Sequence, residues 1–244
     1  MGMRVWMGVA ALCVPLTAAC QAALPPGTIL PVSLDRSLNA AKARAGQTFR
    51  ATVMQTIPGT SVHRGAKVMG RVVESATDIG GGSRLTLRFD TIRSHGQTID
   101  VRTSLRALAS FVEVEAAQVP EEMGIRGTTP ETATTQQIGG EQVYRGGGPV
   151  TDGLTVVGQP VPYGVLAMPR AQRGLPCRAE VAGNRLPQAF WLFSSNACGV
   201  YGYPRLRIEQ ASRSNEQGKI VLVQERGRLE LRSGTGLLLR VQGS

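Results

Sequence analysis

The sequence has few aromatic residues and only two histidines, and it lacks the motifs of several large enzyme classes. It contains 5 Phe, 4 Tyr, 2 Trp and 2 His among 244 residues. It has no G-x-S-x-G elbow for a serine nucleophile, and its glycine runs lack the Lys and Ser/Thr of a phosphate loop. No spacing of His and Cys suits a metal centre. We therefore predict no catalytic residue, no cofactor and no metal site.

Hydrophobic runs long enough to span a membrane are also missing. The longest apolar run lies at the N-terminus. Arg4 supplies a positive charge, and the apolar or small residues from Val5 to Ala19 follow it. About 15 residues suit the apolar region of a signal peptide and are too few for a membrane-spanning helix. Residues 1–23 are therefore predicted to be an export signal, and the protein to be periplasmic, outer-membrane-anchored or secreted.

The site of signal cleavage decides whether the protein carries a lipid. Cys20 lies in LTAAC, which is close to the bacterial lipobox, although Leu16 stands one position earlier than the motif requires. One alternative is a lipid anchor on Cys20. The second is ordinary cleavage between Ala19 and Ala23, with a mature chain that begins at about Leu24. A retained, uncleaved segment is a third alternative.

Acidic residues are scarce: the chain has 17 Asp and Glu against 27 Lys and Arg, for a net charge of +10. Residues 24–110 carry 12 of the basic residues and 5 of the acidic ones. This excess predicts either a basic face for an anionic surface, such as lipid headgroups or polysaccharide, or arginines scattered over outward strand positions. Scattering is the favoured interpretation. Basic residues are neither clustered nor interleaved with aromatics, so nucleic acid is not expected as a partner. Contact with a membrane is expected only through a lipid anchor.

From Leu24 onward, short alternating stretches separated by Gly, Pro, Asn and Ser predominate, which is typical of an all-β fold. In RLTLRFDTI, the residues Leu85, Leu87 and Phe89 are predicted to face inward. A turn at 94–96 is predicted to close a hairpin with the next segment. Residues 24–110 are therefore predicted to form a small, basic, barrel-like β-domain.

Four segments of this domain resemble those of a known family. They are the opening LPPGTILPVSL, the strand FRATV after Gly46, the segment HRGAKVMGRVV, and the hairpin RLTLRFDTI…GQTIDV. In this order they are similar to the C-terminal β-barrel of the TrbI-like family, the outer-membrane scaffold subunit of type IV secretion and conjugation machines. The resemblance covers about residues 24–105. It implies a β-barrel module, here expected to stand alone because the family's inner-membrane helix, Pro-rich arm and helical antenna are not recognisable.

The composition changes at residues 111–150, which are rich in Thr, Pro, Gly and Glu and are predicted to form a linker or mobile loop. Seven short apolar segments follow, and they predict a second β-domain over 151–244, either a sandwich or a small barrel. Cys177 and Cys198 are the only cysteines after the signal segment. They are predicted to form a disulfide, because exported proteins fold in an oxidising compartment.

Five of the eleven aromatic residues cluster between positions 190 and 203. They predict either the core of the second domain or a binding face. In the second case Trp191, or Tyr201 with Tyr203, stacks on sugar rings or on a partner. These three residues are the candidate ligand-binding residues.

His63 and His95 are the only candidate bases for catalysis, and both fall in turns, where a histidine is usually solvated. The sequence therefore predicts an exported cell-envelope protein with a binding or scaffolding role and without a catalytic site. Its partner is expected to be an envelope protein or a polysaccharide. Two alternatives stay open: a cell-wall or polysaccharide hydrolase, and a subunit of a secretion or conjugation complex.

The intact mass of the exported protein tests the N-terminal prediction. We expect either a lipid on Cys20 or an N-terminus between Cys20 and Leu24, because the apolar segment is a signal. A mature chain that begins at Met1 would contradict both cleavage alternatives.

Overall fold

The computed structural model describes residues 24–77, 80–118, 134–139, 142–145, 150–152, 155–158, 165–168, 190–194, 197–209 and 218–243. The predicted signal segment with Cys20 lies outside these ranges, and so does Cys177. Strands predominate in them beside one short α-helix, so the all-β prediction is confirmed. No helix within the described ranges is long and apolar enough to cross a membrane.

The first half of the described chain forms seven strands followed by a helix. They are β1 (Ile29–Leu34), β2 (Leu38–Asn39), β3 (Thr48–Val53), β4 (Lys67–Thr77), β5 (Ser83–Ser94), β6 (Gln97–Asp100), β7 (Arg102–Ala109) and α1 (Phe111–Gln118). The second half is built of shorter strands. They are β8 (Thr134–Gln136), β9 (Gln142–Arg145), β10 (Val150–Asp152), β11 (Thr155–Gly158), β12 (Val165–Met168), β13 (Gly199–Tyr201), β14 (Leu206–Glu209), β15 (Ile220–Gln224), β16 (Glu230–Leu231) and β17 (Gly236–Gly243).

Ten of these strands form one large mixed sheet. Its order is β13-β7-β17-β1-β3-β4-β5-β15-β14, and β6 pairs with the second half of β5. All neighbours in the sheet are antiparallel except β13, which runs parallel to β7. The remaining strands form three small sheets: β10 with β11, β12-β9-β8, and β16 with β2.

The C-terminal strand β17 lies inside the large sheet, between two strands from the beginning of the chain. Leu239 of β17 pairs with Leu30 of β1 on one side and with Leu105 of β7 on the other. A second late strand, β15, extends the same sheet, and its Leu222 pairs with Leu85 of β5. Residues 29–109 and residues 199–243 therefore build one sheet together.

The predicted division into a domain at 24–110 and a separate domain at 151–244 is wrong for these C-terminal strands. Strands β13, β14, β15 and β17 belong to the sheet of the first domain, and β16 pairs with β2 beside it. An alternating pattern shows which side chains face inward, but it does not show which strand lies alongside. The compositional break at 111–150 therefore marks an insertion between paired strands.

The sequence predicts a barrel-like domain, but the described sheet does not close into a barrel by hydrogen bonds. Its two edges are β13 and β14. These edges are nevertheless consecutive in the chain, separated by residues 202–205. An extended connection of this length spans about 18 Å at most. The sheet must therefore curl until its first and last strands approach each other.

The curled sheet encloses the larger of two hydrophobic cores. The residues predicted to face inward along β5, Leu85, Leu87 and Phe89, are all buried in it. The C-terminal strands contribute to the same core. Its fully buried side chains include Leu30, Val32, Leu85, Leu222 and Leu239.

A second hydrophobic cluster covers the outer side of β1, β17 and β7. Helix α1 and the segment around Phe193 pack there, and Val114 and Phe193 join Leu238 and Ala107 in the cluster. Because both faces of β17 are covered, its sequence GLLLRV is a nearly continuous apolar run rather than an alternating one.

The predicted hairpin between β5 and β6 is confirmed. His95 and Gly96 form its two-residue turn, and both have positive φ angles, 46° and 79°. Such a turn matches the twist of the two strands that it joins.

Leu239→Ala is expected to lower the free energy of unfolding by about 2–5 kcal/mol, because it leaves a cavity in the strand that joins both parts of the chain. Val112→Ala is the control, since this α1 side chain is 65% exposed, and it should change stability by less than about 0.5 kcal/mol. Urea titration followed by circular dichroism measures both. A large sheet that unfolds in two separate transitions, of which Leu239→Ala shifts only one, would contradict a single cooperative sheet.

Candidate anion-binding site

Strands β3, β4 and β5 carry basic side chains on their outward side. Arg71 pairs with Arg88, and Lys67 with Arg93, in the register of β4 with β5. Arg50 points outward from β3. We call these five side chains the basic face. The structure thus places on one side of the sheet five basic residues, whereas the interpretation favoured from the sequence is that the basic residues are scattered.

The carboxylate at the centre of the basic face, that of Asp90, is hydrogen-bonded to two arginines. Asp90 accepts hydrogen bonds from Arg71 Nε at 2.9 Å and Nη2 at 3.1 Å. It also accepts one from Arg88 Nε at 2.7 Å. The hydrogen bond and the charge of Asp90 raise the pKa of Arg71. Because one carboxylate meets two guanidinium groups, this cluster keeps an uncompensated positive charge.

The carboxylate nearest to β3 is occupied as well. Asp35 accepts a hydrogen bond from Thr52 Oγ1 and forms an ion pair with Lys67 Nζ at 3.2 Å. Within the part of the chain that the structure describes, no carboxylate lies within ion-pair distance of Arg36 or Arg50. Two exposed guanidinium groups are therefore free to meet an anion from solution.

Arg36 and Arg50 line the same pocket, which has a volume of about 410 Å³. Its walls come from the chain after β1, from the start of β3 and from β4. None of the lining residues is acidic. They are Arg36, Ser37, Leu38, Gln47, Thr48, Phe49, Arg50 and Met69, and we call this cavity the arginine pocket.

Two of the three uncharged polar side chains that line the arginine pocket, those of Ser37 and Gln47, each accept a hydrogen bond from a backbone N–H. Ser37 Oγ accepts a hydrogen bond from the backbone N–H of Ser233 at 3.0 Å. Gln47 Oε1 accepts one from the backbone N–H of Arg44 at 3.2 Å. The hydroxyl hydrogen of Ser37 and the amide hydrogens of Gln47 therefore remain for a ligand. The pocket offers donors and positive charge, which suits an oxyanion.

An aromatic pair in the core supports the floor of the arginine pocket. Phe49 and Phe89 meet edge to face, with ring centroids 5.2 Å apart. Gly70 of β4 makes this arrangement possible: a Cβ there would lie 2.5 Å from Phe49 Cζ and 2.7 Å from the backbone oxygen of Arg88. The lack of a side chain at position 70 thus leaves the space that the Phe49 ring occupies.

The structure divides the three predicted ligand-binding aromatics between two cores. Trp191 and Tyr201 pack against the outer cluster, whereas Tyr203 packs against the inner core. The hydroxyl of Tyr201 accepts a hydrogen bond from the backbone N–H of Cys198 at 3.0 Å, and that of Tyr203 shares one with Thr235 at 2.9 Å. Burial raises the pKa of both tyrosines. These internal partners suit packing, and ligand binding here stays a prediction.

Cys198 is buried. Its predicted partner Cys177 lies outside the described ranges, so the pairing of these two residues stays a prediction.

The two histidines meet on the surface. The rings of His63 and His95 lie edge to face, 4.8 Å apart, on two exposed turns. Ser94 links the turns, because its hydroxyl donates to the Ser61 carbonyl and accepts from the His63 N–H. Among the residues that the structure describes, no hydrogen bond joins either ring to a nucleophile, and no three metal-ligating side chains cluster.

Sequence reasoning missed the arginine pocket because its two charges lie 14 positions apart and meet only through strand pairing. The available signal was the outward position of Arg50 in FRATV, directly beside the chain that leaves β1. The sequence matches no protein-family model and no curated protein. The resemblance to the TrbI-like family therefore stays an expectation, and function has to be argued from the site.

Gly70→Ala is expected to destabilise the protein by about 1–3 kcal/mol, because the new Cβ overlaps Phe49 and a backbone oxygen. Gly80→Ala is the matched control, since nothing lies within 4 Å of a Cβ at that exposed position. Thermal unfolding of the two variants measures the difference. Equal melting temperatures would contradict the tight packing beneath the arginine pocket.

Proposed function

We propose that this protein is an exported cell-envelope binding protein whose basic face and arginine pocket hold an anionic partner. The observation that carries the proposal is the acid-free pocket lined by Arg36 and Arg50. Beside it, Asp35 and Asp90 are already neutralised by residues of the basic face. An incoming anion therefore gains charge–charge attraction without displacing an internal ion pair.

The surroundings of the histidines support binding rather than hydrolysis. A hydrolase built on His63 or His95 would need the ring in a deep pocket, beside a nucleophile and an orienting carboxylate. Both rings are instead exposed on turns and contact each other. A scaffolding role in a secretion or conjugation complex rests on the TrbI-like resemblance alone, and ring-shaped assembly of the purified protein would support it.

Binding to anionic surfaces tests the proposed function. The purified protein is mixed with vesicles of phosphatidylglycerol and phosphatidylcholine, with vesicles of phosphatidylcholine alone, and with an immobilised polyuronate. We expect binding to at least one anionic surface and not to the neutral vesicles. Raising the salt from 50 to 500 mM should release it, because the exposed charges are then screened. Binding to neither anionic surface, or equal binding to the neutral one, would contradict the proposal.

A charge-matched pair of variants locates the binding surface. Arg50→Ala/Arg93→Ala removes two charges from the basic face, and we expect it to weaken binding by about tenfold or more at low salt. Arg226→Ala/Arg228→Ala removes two exposed charges from the loop after β15 and should weaken it by less than threefold. Equal losses for the two variants would show that net charge, rather than the basic face, drives the binding.

A further inference from the structure

We infer that the arginine pocket is a specific site for the phosphate group of a phosphate ester. This inference deepens the proposed function and rests on it. It assigns the ligand class to one cavity, whereas the proposed function needs only an attractive surface.

The donors around the arginine pocket match a phosphate better than a carboxylate. Arg36 and Arg50 each present a fork of N–H donors, and Ser37 and Gln47 add a hydroxyl and an amide. A carboxylate has two oxygens and one charge. A phosphate monoester has three terminal oxygens and a charge of about −1.5 to −2, and can therefore use all four groups. A cation is disfavoured because no acidic side chain lines the cavity.

The size and the apolar part of the arginine pocket indicate an ester rather than a free ion. Its volume of about 410 Å³ lies in the range of small-molecule sites. The half-buried Met69 supplies apolar surface beside the donors, in front of the buried Leu38 and Phe49. The phosphate therefore leaves space for part of the organic group that carries it.

The chain that forms one wall of the pocket is fixed in place before a ligand arrives. The turn before β17 holds it: Ser233 N–H donates to Ser37 Oγ at 3.0 Å, and Ser233 Oγ donates to the Asp35 carbonyl at 2.9 Å. A further backbone bond joins Gly234 N–H to the Leu34 carbonyl at 2.8 Å. The backbone that carries Arg36 and Ser37 is thus preorganised, which lowers the entropy cost of binding.

Isothermal titration with three probes tests the inference: inorganic phosphate, glucose 1-phosphate and acetate. We expect saturable binding of both phosphates at one site, tighter binding of the ester, and at least tenfold weaker binding of acetate. Arg36→Ala/Arg50→Ala should weaken binding of the ester by about 30-fold or more, because two charge-assisted contacts are lost. The charge-matched control Arg226→Ala/Arg228→Ala removes two exposed arginines that lie outside both the pocket and the basic face, and it should change binding of the ester by less than threefold.

Arg50→Lys separates pocket recognition from net charge, because it keeps the charge and loses the forked geometry. We expect it to weaken binding of the ester by about tenfold. Absence of saturable phosphate binding in a protein that still binds anionic surfaces overturns the inference and leaves the proposed function intact. Equal losses in the pocket and control variants overturn it as well. Failure to bind both phosphates and anionic surfaces overturns both.

Discussion

The pairing of β17 with both β1 and β7 is the interaction on which the rest of the structure depends. Its eight residues bring together strands that are about 70 positions apart in the sequence. Both faces of β17 are buried, one in the inner core and the other beneath α1 and Phe193. Without this strand the sheet would be split between β7 and β1, and neither core would be complete.

The same C-terminal segment also shapes the candidate site. The turn that leads into β17 bonds to the chain between β1 and β2, which supplies Arg36 and Ser37 to the arginine pocket. The stability of the sheet and the geometry of the pocket are therefore coupled. A substitution that loosens β17 is expected to weaken ligand binding even though it touches no ligand.

Local features of the fold could be predicted from the sequence, whereas long-range pairing could not. Alternation identified the inward residues of β5, and the His95–Gly96 turn followed from its place between β5 and the next segment. The partner of β17 had no local signal, because its apolar run suits any strand covered on both sides. The domain boundary failed for this reason.

The candidate site was predictable only in part. The excess of basic residues over 24–110 was visible in the composition, but their gathering on one side depends on the register of β3, β4 and β5. The pocket needs two further facts that only coordinates supply: Asp35 is engaged by Lys67, and Gly70 leaves room for Phe49. The aromatic cluster at 190–203 was the more conspicuous signal, and much of it forms the core beside β7 and β17.

The separation of β17 from β1 in the sequence bears on how the protein folds. The first strand of the sheet pairs with a strand about 200 positions later, so the core cannot be completed before that later segment is available. Such long-range pairing slows folding and leaves the early strands exposed in the meantime. Until β17 pairs with them, β1 and β7 each keep an open edge, and an open strand edge is where another chain can add a strand.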